Sequence, residues 1–321
     1  MKKKIAVFFG GKLSNHLVEF KRASKELGIK LSLISYNRIY FDTVNNQLKI
    51  RGGLSKSTRE EKEINLADFG LLFFRTTGKH WEMVNLIVEE AKKLGLIIVD
   101  PMVVEGKNSM ACKAWQMKRL TECGMKVPRT LFGSLWFLYE FQKRENNVEK
   151  FAYPVILKGS SGDRGSRVFK ANNLEELESL IRQWRRSEIE EGRRYMLQEY
   201  VENSGDYRVF VLGEKVIGAM KRIRQEEGEF RNNFSMGGKV EVAKLPEEIE
   251  KLCVKAAEVC GLAVAGVDVA FEKDDMSKPV IWEVNKGPQF KGLMQATGID
   301  VPKEIVKYLH SLIVNKESRS S

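Results

Sequence analysis

Hydrophobic positions in the first hundred residues recur with two periods. Residues 5–9 and 70–74 are short runs of almost wholly apolar side chains, the signature of buried strands. Between them Leu17, Phe20, Ala23 and Leu27 recur at helical spacing, and Gly28 closes the stripe. Residues 31–34 form a second strand, so the chain opens as a strand–helix–strand unit and implies a parallel sheet. Residues 42–66 are polar and turn-rich, fitting short hairpins. After the strand ending at Arg75 the pattern predicts a helix over about 80–94 and a strand over 96–99. Residues 101–109 read as a linker.

The second half alternates in the same way. Ser109 caps a helix reaching 123 that carries Lys113 among apolar neighbours. A strand over 154–158 ends in Lys158, and a helix covers 174–190. A strand at 195–201 contains Glu199, unusual because an unpaired charge in a core costs several kcal/mol. Residues 206–212 and 215–220 form a hairpin about Gly213-Glu214. A helix over 246–260 leads into strands at 266–271 and 279–285, and a last helix spans 303–313. The polar tail 315–321 is expected to fray.

Those last two strands carry polar groups where plain core strands have none. Asp268 lies in the first; Glu283 and Asn285 lie two apart in the second and so share a face. Three converging oxygen-bearing side chains suit a hard cation such as Mg²⁺, which is commonly shared between carboxylates and substrate phosphates. A hairpin with a solvated polar face accounts for the same residues. The loop after Lys158 holds Gly159, Gly162 and Gly165 among Ser160, Ser161 and Ser166. Glycines let backbone N–H groups approach anionic oxygens and lysine adds a point charge, so the stretch fits a phosphate cover, though not a Walker arrangement. A flexible turn is the alternative. Asp206 and Arg208 share a strand face, and Lys221, Arg222, Arg231, Asn232 and Asn233 follow before Gly237-Gly238. Cations and amides at this density suit a triphosphate. Arg75 stands at a strand's carboxyl end, where open α/β sheets place ligand groups.

Composition narrows the classes. The 321 residues allow two or three domains, and 43% hydrophobic with 30% charged residues is ordinary for a globular protein. No apolar run reaches the roughly 18 residues of a membrane helix. The basic start followed by residues 5–10 imitates a signal peptide with too short a core, which places the protein in the cytoplasm and away from membranes. Cys112, Cys123, Cys253 and Cys260 form no Cys-x-x-Cys pair and read as reduced, buried thiols. The three histidines have no zinc-ligand spacing. A net charge of +11 fits phosphate-rich or acidic ligands. No nucleic-acid-binding motif accompanies it, and nucleic acid is not expected as a partner.

Eight stretches, in order, resemble the ATP-grasp superfamily and its RimK-like branch of carboxylate–amine ligases: residues 154–158 with the glycine loop, 198–201, Asp206-x-Arg208, Lys221-Arg222, 230–233 before Gly237-Gly238, 265–268, 283–288 and 296–300. The resemblance covers about 105–313. It implies an α/β pre-ATP-grasp parallel-sheet domain (1–105), then a two-lobed, α+β ATP-grasp fold with antiparallel sheets. The lobes would span 106–192, with the glycine loop, and 193–314, with the metal site; 315–321 is the tail. By resemblance Lys113 and Lys158 contact nucleotide phosphates, Glu199 and Tyr200 lie beside the adenine, and Asp206 holds the ribose. Arg231, Asn232 and Asn233 reach the triphosphate and the acyl-phosphate, with Arg231 and Asn233 catalytic. Asp268, Glu283 and Asn285 would hold two Mg²⁺ ions, with Glu283 bridging and Mn²⁺ able to substitute.

The implied activity is ATP-dependent, ADP-forming ligation of an amino acid or other amine to a carboxylate through an acyl-phosphate. The acceptor would be a peptide, protein or amino-acid derivative, an acidic one on the strength of the charge and of Arg75, Lys286 and Lys291. Arg75, Arg208, Lys221 and Lys286 are assigned to the substrates. A peptide macrocycle-forming enzyme of the same fold and a nucleotide-binding regulator without chemistry are the alternatives, and a homo-oligomer is left open. Cys112 stands where the family commonly has an acidic residue, Trp115 and Trp282 replace smaller residues, and residues 286–291 are bulkier and more basic than in familiar members.

Overall fold

A computed structural model describes residues 4–44, 47–53, 61–78, 80–106, 112–160, 167–223 and 239–320. The amino-terminal part runs β1 (Lys4–Phe9), α1 (Asn15–Glu26), β2 (Leu31–Ser35), an antiparallel ribbon β3 (Ile39–Val44), β4 (Gln47–Gly53), β5 (Glu61–Glu63), then β6 (Phe69–Phe74), α2 (Trp81–Lys93), β7 (Ile97–Ile98) and α3 (Pro101–Val104). Its parallel sheet has the order β2-β1-β6-β7. All of β6, and β1 beyond its first residue, are buried, which is why these strands read as unbroken apolar runs. The stretch expected as a linker begins with α3, because Pro101 pre-sets the first turn and Met102 and Val103 are buried.

The middle lobe comprises α4 (Lys113–Glu122), β8 (Thr130–Gly133), α5 (Leu135–Lys143), β9 (Val155–Gly159), β10 (Val168–Ala171), α6 (Leu174–Glu191) and β11 (Tyr195–Glu199). Its antiparallel sheet has the order β10-β9-β11-β8. Leu157, Tyr195 and Leu197 point to one face and pack with Leu138, Leu177 and Ile181 of the two helices covering it. By alternation Lys158 and Met196 lie on the opposite face, towards the third part of the chain. The boundary expected at 192 is therefore displaced. Strand β11 is inserted between β9 and β8 and completes the middle sheet.

The third part runs β12 (Gly205–Leu212), β13 (Lys215–Ile223), β14 (Lys239–Ala243), α7 (Glu247–Val259), β15 (Val264–Phe271), β16 (Pro279–Lys286), α8 (Lys291–Thr297) and α9 (Val301–Ser320). The five strands are antiparallel in the order β14-β13-β12-β15-β16, leaving β16 an edge strand. Ile249, Cys253, Ala256 and Ala257 of α7 pack on one face with Val209, Val211, Val267 and Val269. Helix α9 continues through the tail expected to fray. Val301, Ile305, Leu309 and Ile313 anchor it in the core, extension of a formed helix is cheap, and Lys316 donates to Gly95 O at 2.6 Å. Cys253 and Cys260 are buried, and burial pushes both thiols up to about 12; Cys123 is exposed, against expectation. Among the described residues no helix is long and apolar enough to cross a membrane.

The architecture is thus mixed α/β, a parallel sheet followed by two antiparallel lobes, as expected. One core joins the first part to the third: Ile5, Phe20, Leu71 and Phe73 pack with Phe210, Val264, Leu293 and Leu309. Phe210 is 1% exposed within it. Phe210→Ala should cost about 3–5 kcal/mol, and because the core is shared, urea unfolding followed by tryptophan fluorescence and by circular dichroism should move to the same lower midpoint. Separate midpoints would mean that the two parts unfold independently.

Candidate active site

The site is built on the face of the five-stranded sheet away from α7. Arg208 of β12 lies opposite Asp268 of β15, and Asp268 lies opposite Glu283 of β16; Asn285 lies opposite Gly266. A bulge decides this alignment. Asp268 pairs with Glu283, but Val269 pairs with Ile281, so Trp282 is an extra residue in β16. Without it Trp282 would face Asp268, and Glu283 and Asn285 would turn to the core face.

Glu283 is held by lysines of the middle lobe. Lys113, the first residue of α4, bonds Oε1, and Lys158, at the end of β9, lies 3.8 Å from Oε2. Burial pushes the Glu283 carboxyl up, but the two lysines outweigh it, and the group ends below the usual carboxylate range. Burial draws Lys158 down, with Glu283 opposing. The two lysines come from different elements joined by a backbone bond, Lys113 N to Ser160 O at 3.1 Å.

Asp268 is engaged by arginines. Arg208 donates Nε to Oδ1 at 2.7 Å and Nη2 to Oδ2 at 2.6 Å, a bidentate pair. Arg222 Nη2 is 3.0 Å from the same Oδ2, and Asn285 donates to it at 3.3 Å. Burial pushes the Asp268 carboxyl up, but Arg208 and Arg222 pull it far below the ordinary range. Arg222 also binds both oxygens of Asp206, donating Nε to Oδ1 at 3.1 Å. Asp206 is fully buried in this pairing, its carboxylate facing the Arg222 guanidinium. Burial pushes its carboxyl up, with Arg222 opposing.

Two carboxylates and one amide on adjacent strands fit a hard cation whose remaining ligands come from phosphate and water. Among the described residues no three His, Cys, Asp or Glu side chains group so as to hold a metal ion. The set fits a metal only in part as it stands, since four cations already neutralise its two carboxylates.

Other expected site residues fall elsewhere. Lys221 pairs with Tyr207 on the opposite face of the sheet, its Nζ 5.6 Å from that ring. Counting back from the turn at Gly213 would set Lys221 against Asp206, but an extra residue at Ile217 shifts the register and puts Arg222 there. Arg75 is 7% exposed and donates Nη2 to Pro288 O at 2.6 Å; burial lowers its pKa to about 10, leaving it charged. Lys286 bonds Phe74 O and lies 3.0 Å from Asp100 Oδ2. Both are engaged in contacts within the chain. Glu199, at the end of β11, accepts from Arg129 N at 2.8 Å while its own N–H donates to Arg129 O, so its charge is not orphaned. Tyr200 follows it, with Lys170 Nζ 4.8 Å from its ring. Gly162, Gly165, Arg231, Asn232 and Asn233 lie outside the described residues.

Gln116 carried no sequence signal. Its amide accepts from Val284 N at 3.2 Å and donates to Val284 O at 2.8 Å, standing in for a missing neighbour strand on the free edge of β16. Arg222 was visible as a cation, and only the bulge at Ile217 reveals its face.

A parallel-sheet domain followed by two antiparallel lobes, with lysines of one lobe meeting carboxylates of the other, defines an ATP-grasp ligase. The chain belongs to the RimK-like ATP-grasp family, whose domain is matched over residues 111–309. A probable alpha-L-glutamate ligase of Vibrio vulnificus (strain YJ016) is 27% identical over 299 residues, 91% of this chain and 90% of the relative. A probable alpha-L-glutamate ligase 1 of Shewanella frigidimarina is 36% identical over 169 residues, 52% of this chain and 54% of the relative. In fold it is similar to the ATP-grasp ligase PsnB complexed with a phosphomimetic variant of minimal precursor, Mg and ADP (TM-score 0.69, 17% identity, 97% of this chain and 99% of that one). It is also similar to D-alanine–D-alanine ligase from Bacillus anthracis complexed with ATP (TM-score 0.61, 15% identity, 99% and 100%). The chain is an ATP-dependent ligase that forms carbon–nitrogen bonds.

The folded carboxyls of Asp268 and Glu283 lie below their usual values, so the stability they add is complete above about pH 4 and is lost as pH falls further. Asp206, raised by burial, acts in the opposite sense. The urea midpoint should therefore fall between about pH 5 and pH 3, and fall less steeply in Glu283→Gln. Parallel acid limbs for the two proteins would remove Glu283 from the account.

Proposed function

We propose that the enzyme adds an amino acid to a carboxylate of a peptide, protein or amino-acid derivative through an acyl-phosphate, with ATP and two Mg²⁺ ions held by Asp268, Glu283 and Asn285. Glutamate is the amino acid in the names of the relatives, and we take it as the amine here. The observation that carries the reading is Glu283 held between Lys113 and Lys158 of the opposite lobe, beside Asp268 and Asn285. When bound, the ions would draw charge from the phosphate oxygens during phosphoryl transfer, and Mn²⁺ would serve in their place.

The chain's own groups divide the work. Lys158, shielded from water, is a strong point charge for a phosphate. It and Lys113 neutralise Glu283, and a polyphosphate would compete for both lysines and leave the carboxylate to a cation. Arg208 is placed to do the same between Asp268 and an acyl-phosphate. Asp206 acts through Arg222, aligning that guanidinium on Asp268. The arrangement requires no side-chain nucleophile; catalysis is positioning with electrostatic stabilisation.

The acceptor's chemistry is less constrained than the sequence suggested. Arg75 and Lys286 make internal contacts, so the net charge of +11 and the exposed Lys291 are what favour an acidic acceptor.

An ADP-release screen with Mg²⁺ should give turnover only when a carboxylate acceptor and an amine are both present, with glutamate the preferred amine among the amino acids. Glu283→Gln should lower that turnover about a hundredfold or more. ADP release indifferent to the amine, or unchanged in Glu283→Gln, would overturn the proposal.

A further inference from the structure

Strand β16 carries two of the three metal-site residues and is hydrogen-bonded to a neighbouring strand on one side only. Its start is tied to β15 by the short connection 272–278, and its middle by Gln116. Its far end, after Lys286, leaves the sheet and would be free to splay. Asp100 meets it there. This carboxylate comes from the amino-terminal part, just after β7, and is 2% exposed. Oδ1 accepts from Ala263 N at 3.0 Å and Val264 N at 3.4 Å, at the start of β15. Oδ2 lies 3.0 Å from Lys286 Nζ, at the end of β16. One buried carboxylate thus holds both strands at the open end of their hairpin. Ala265 pairs with Lys286, so the two attachments sit across from each other.

A second tie backs it. Gly287, at φ +63°, packs against Arg75 so closely that a Cβ would lie 2.3 Å from Arg75 O. Arg75 also binds Pro288 O, and its guanidinium lies 5.9 Å from the Phe290 ring. Lys286, next in the chain to Asn285, is thereby fixed from the far side as well.

We infer that Asp100 is a positioning residue for ligation: through Lys286 and the head of β15 it sets the spacing of Asp268 against Glu283 and Asn285. The inference rests on the metal reading of those three residues. It makes the amino-terminal sheet part of the metal site's support, so the ATP-grasp lobes alone would hold the ligand set loosely. The ion pair is internal and electrostatic, so Asp100 and Lys286 should act as a unit.

The test is Mn²⁺ binding by electron paramagnetic resonance, with ADP present and no turnover, on wild type, Asp100→Asn, Lys286→Met, the double variant, Asp268→Asn and Arg22→Gln. Arg22 pairs with Asp300 at 2.9 Å and also ties the first part to the third, away from the site. Disturbing the supports of metal ligands commonly weakens affinity about 10- to 100-fold. Asp100→Asn and Lys286→Met should each weaken Mn²⁺ by about tenfold, the double variant no more than either, and Arg22→Gln not at all. Lys286→Met keeps the question open to measurement should Asp100→Asn fail to fold. Wild-type affinity in Asp100→Asn and Lys286→Met, or equal weakening in Arg22→Gln, would overturn the positioning role. Absence of Mn²⁺ binding in wild type, or full binding in Asp268→Asn, would instead overturn the metal reading beneath it.

Discussion

Two carboxylates facing each other on neighbouring strands, largely cut off from water, have to be neutralised by something. Here four cations do so, and they come from separate places: Lys113 and Lys158 from the middle lobe, Arg208 from the strand beside Asp268 and Arg222 from the next strand out. An isolated buried charge costs several kcal/mol, and removing one partner of such a set exposes that cost. The arrangement therefore has two consequences. It draws the lobes together across the cleft, and it keeps the carboxylates ionised for a cation that brings its own counter-charge.

The constraint explains how the rest of the fold is arranged. The carboxylates need a stiff platform, and a β-hairpin with one edge exposed is not stiff by itself. Helix α7 supports the hairpin from behind, Gln116 occupies the free edge, and the first domain holds its open end. The hydrophobic core shared by the first and third parts serves the same purpose at larger scale. Residues read as substrate contacts from their charge, Arg75 and Lys286, belong to that support. A buried cation between domains is expensive to desolvate; Lys286 is met by a backbone carbonyl and a carboxylate, and Arg75 by the Pro288 carbonyl at Nη2, its buried Nη1 having no hydrogen-bond partner among the described residues.

Local signals carried the reading a long way. The apolar runs in β1 and β6, the stripe of α1, the turn between β12 and β13 and the acidic start of α7 are all decided within a few residues, and the structure follows them. Short elements with weak patterns passed unnoticed: β8 pairs with β11, far away in sequence, and β14 is a five-residue edge strand beside β13. Membership of β11 in the middle sheet is of the same kind. Its own residues say strand, while its neighbours are chosen by the core that Tyr195 and Leu197 enter.

What the chain determined alone is the inventory: strands carrying Asp268, Glu283 and Asn285, a lysine ending β9, a glycine loop after it, and an order of motifs sufficient for the family. What tertiary structure decided is which of these side chains meet. Two single-residue bulges make the difference. The extra residue at Trp282 brings Glu283 onto the face of Asp268, and the one at Ile217 places Arg222 there in preference to Lys221. Side chains alternate with a period of two, so a one-residue shift reverses every face beyond it. Nothing in the local sequence marks where such a shift falls; the packing of both faces against their separate neighbours does.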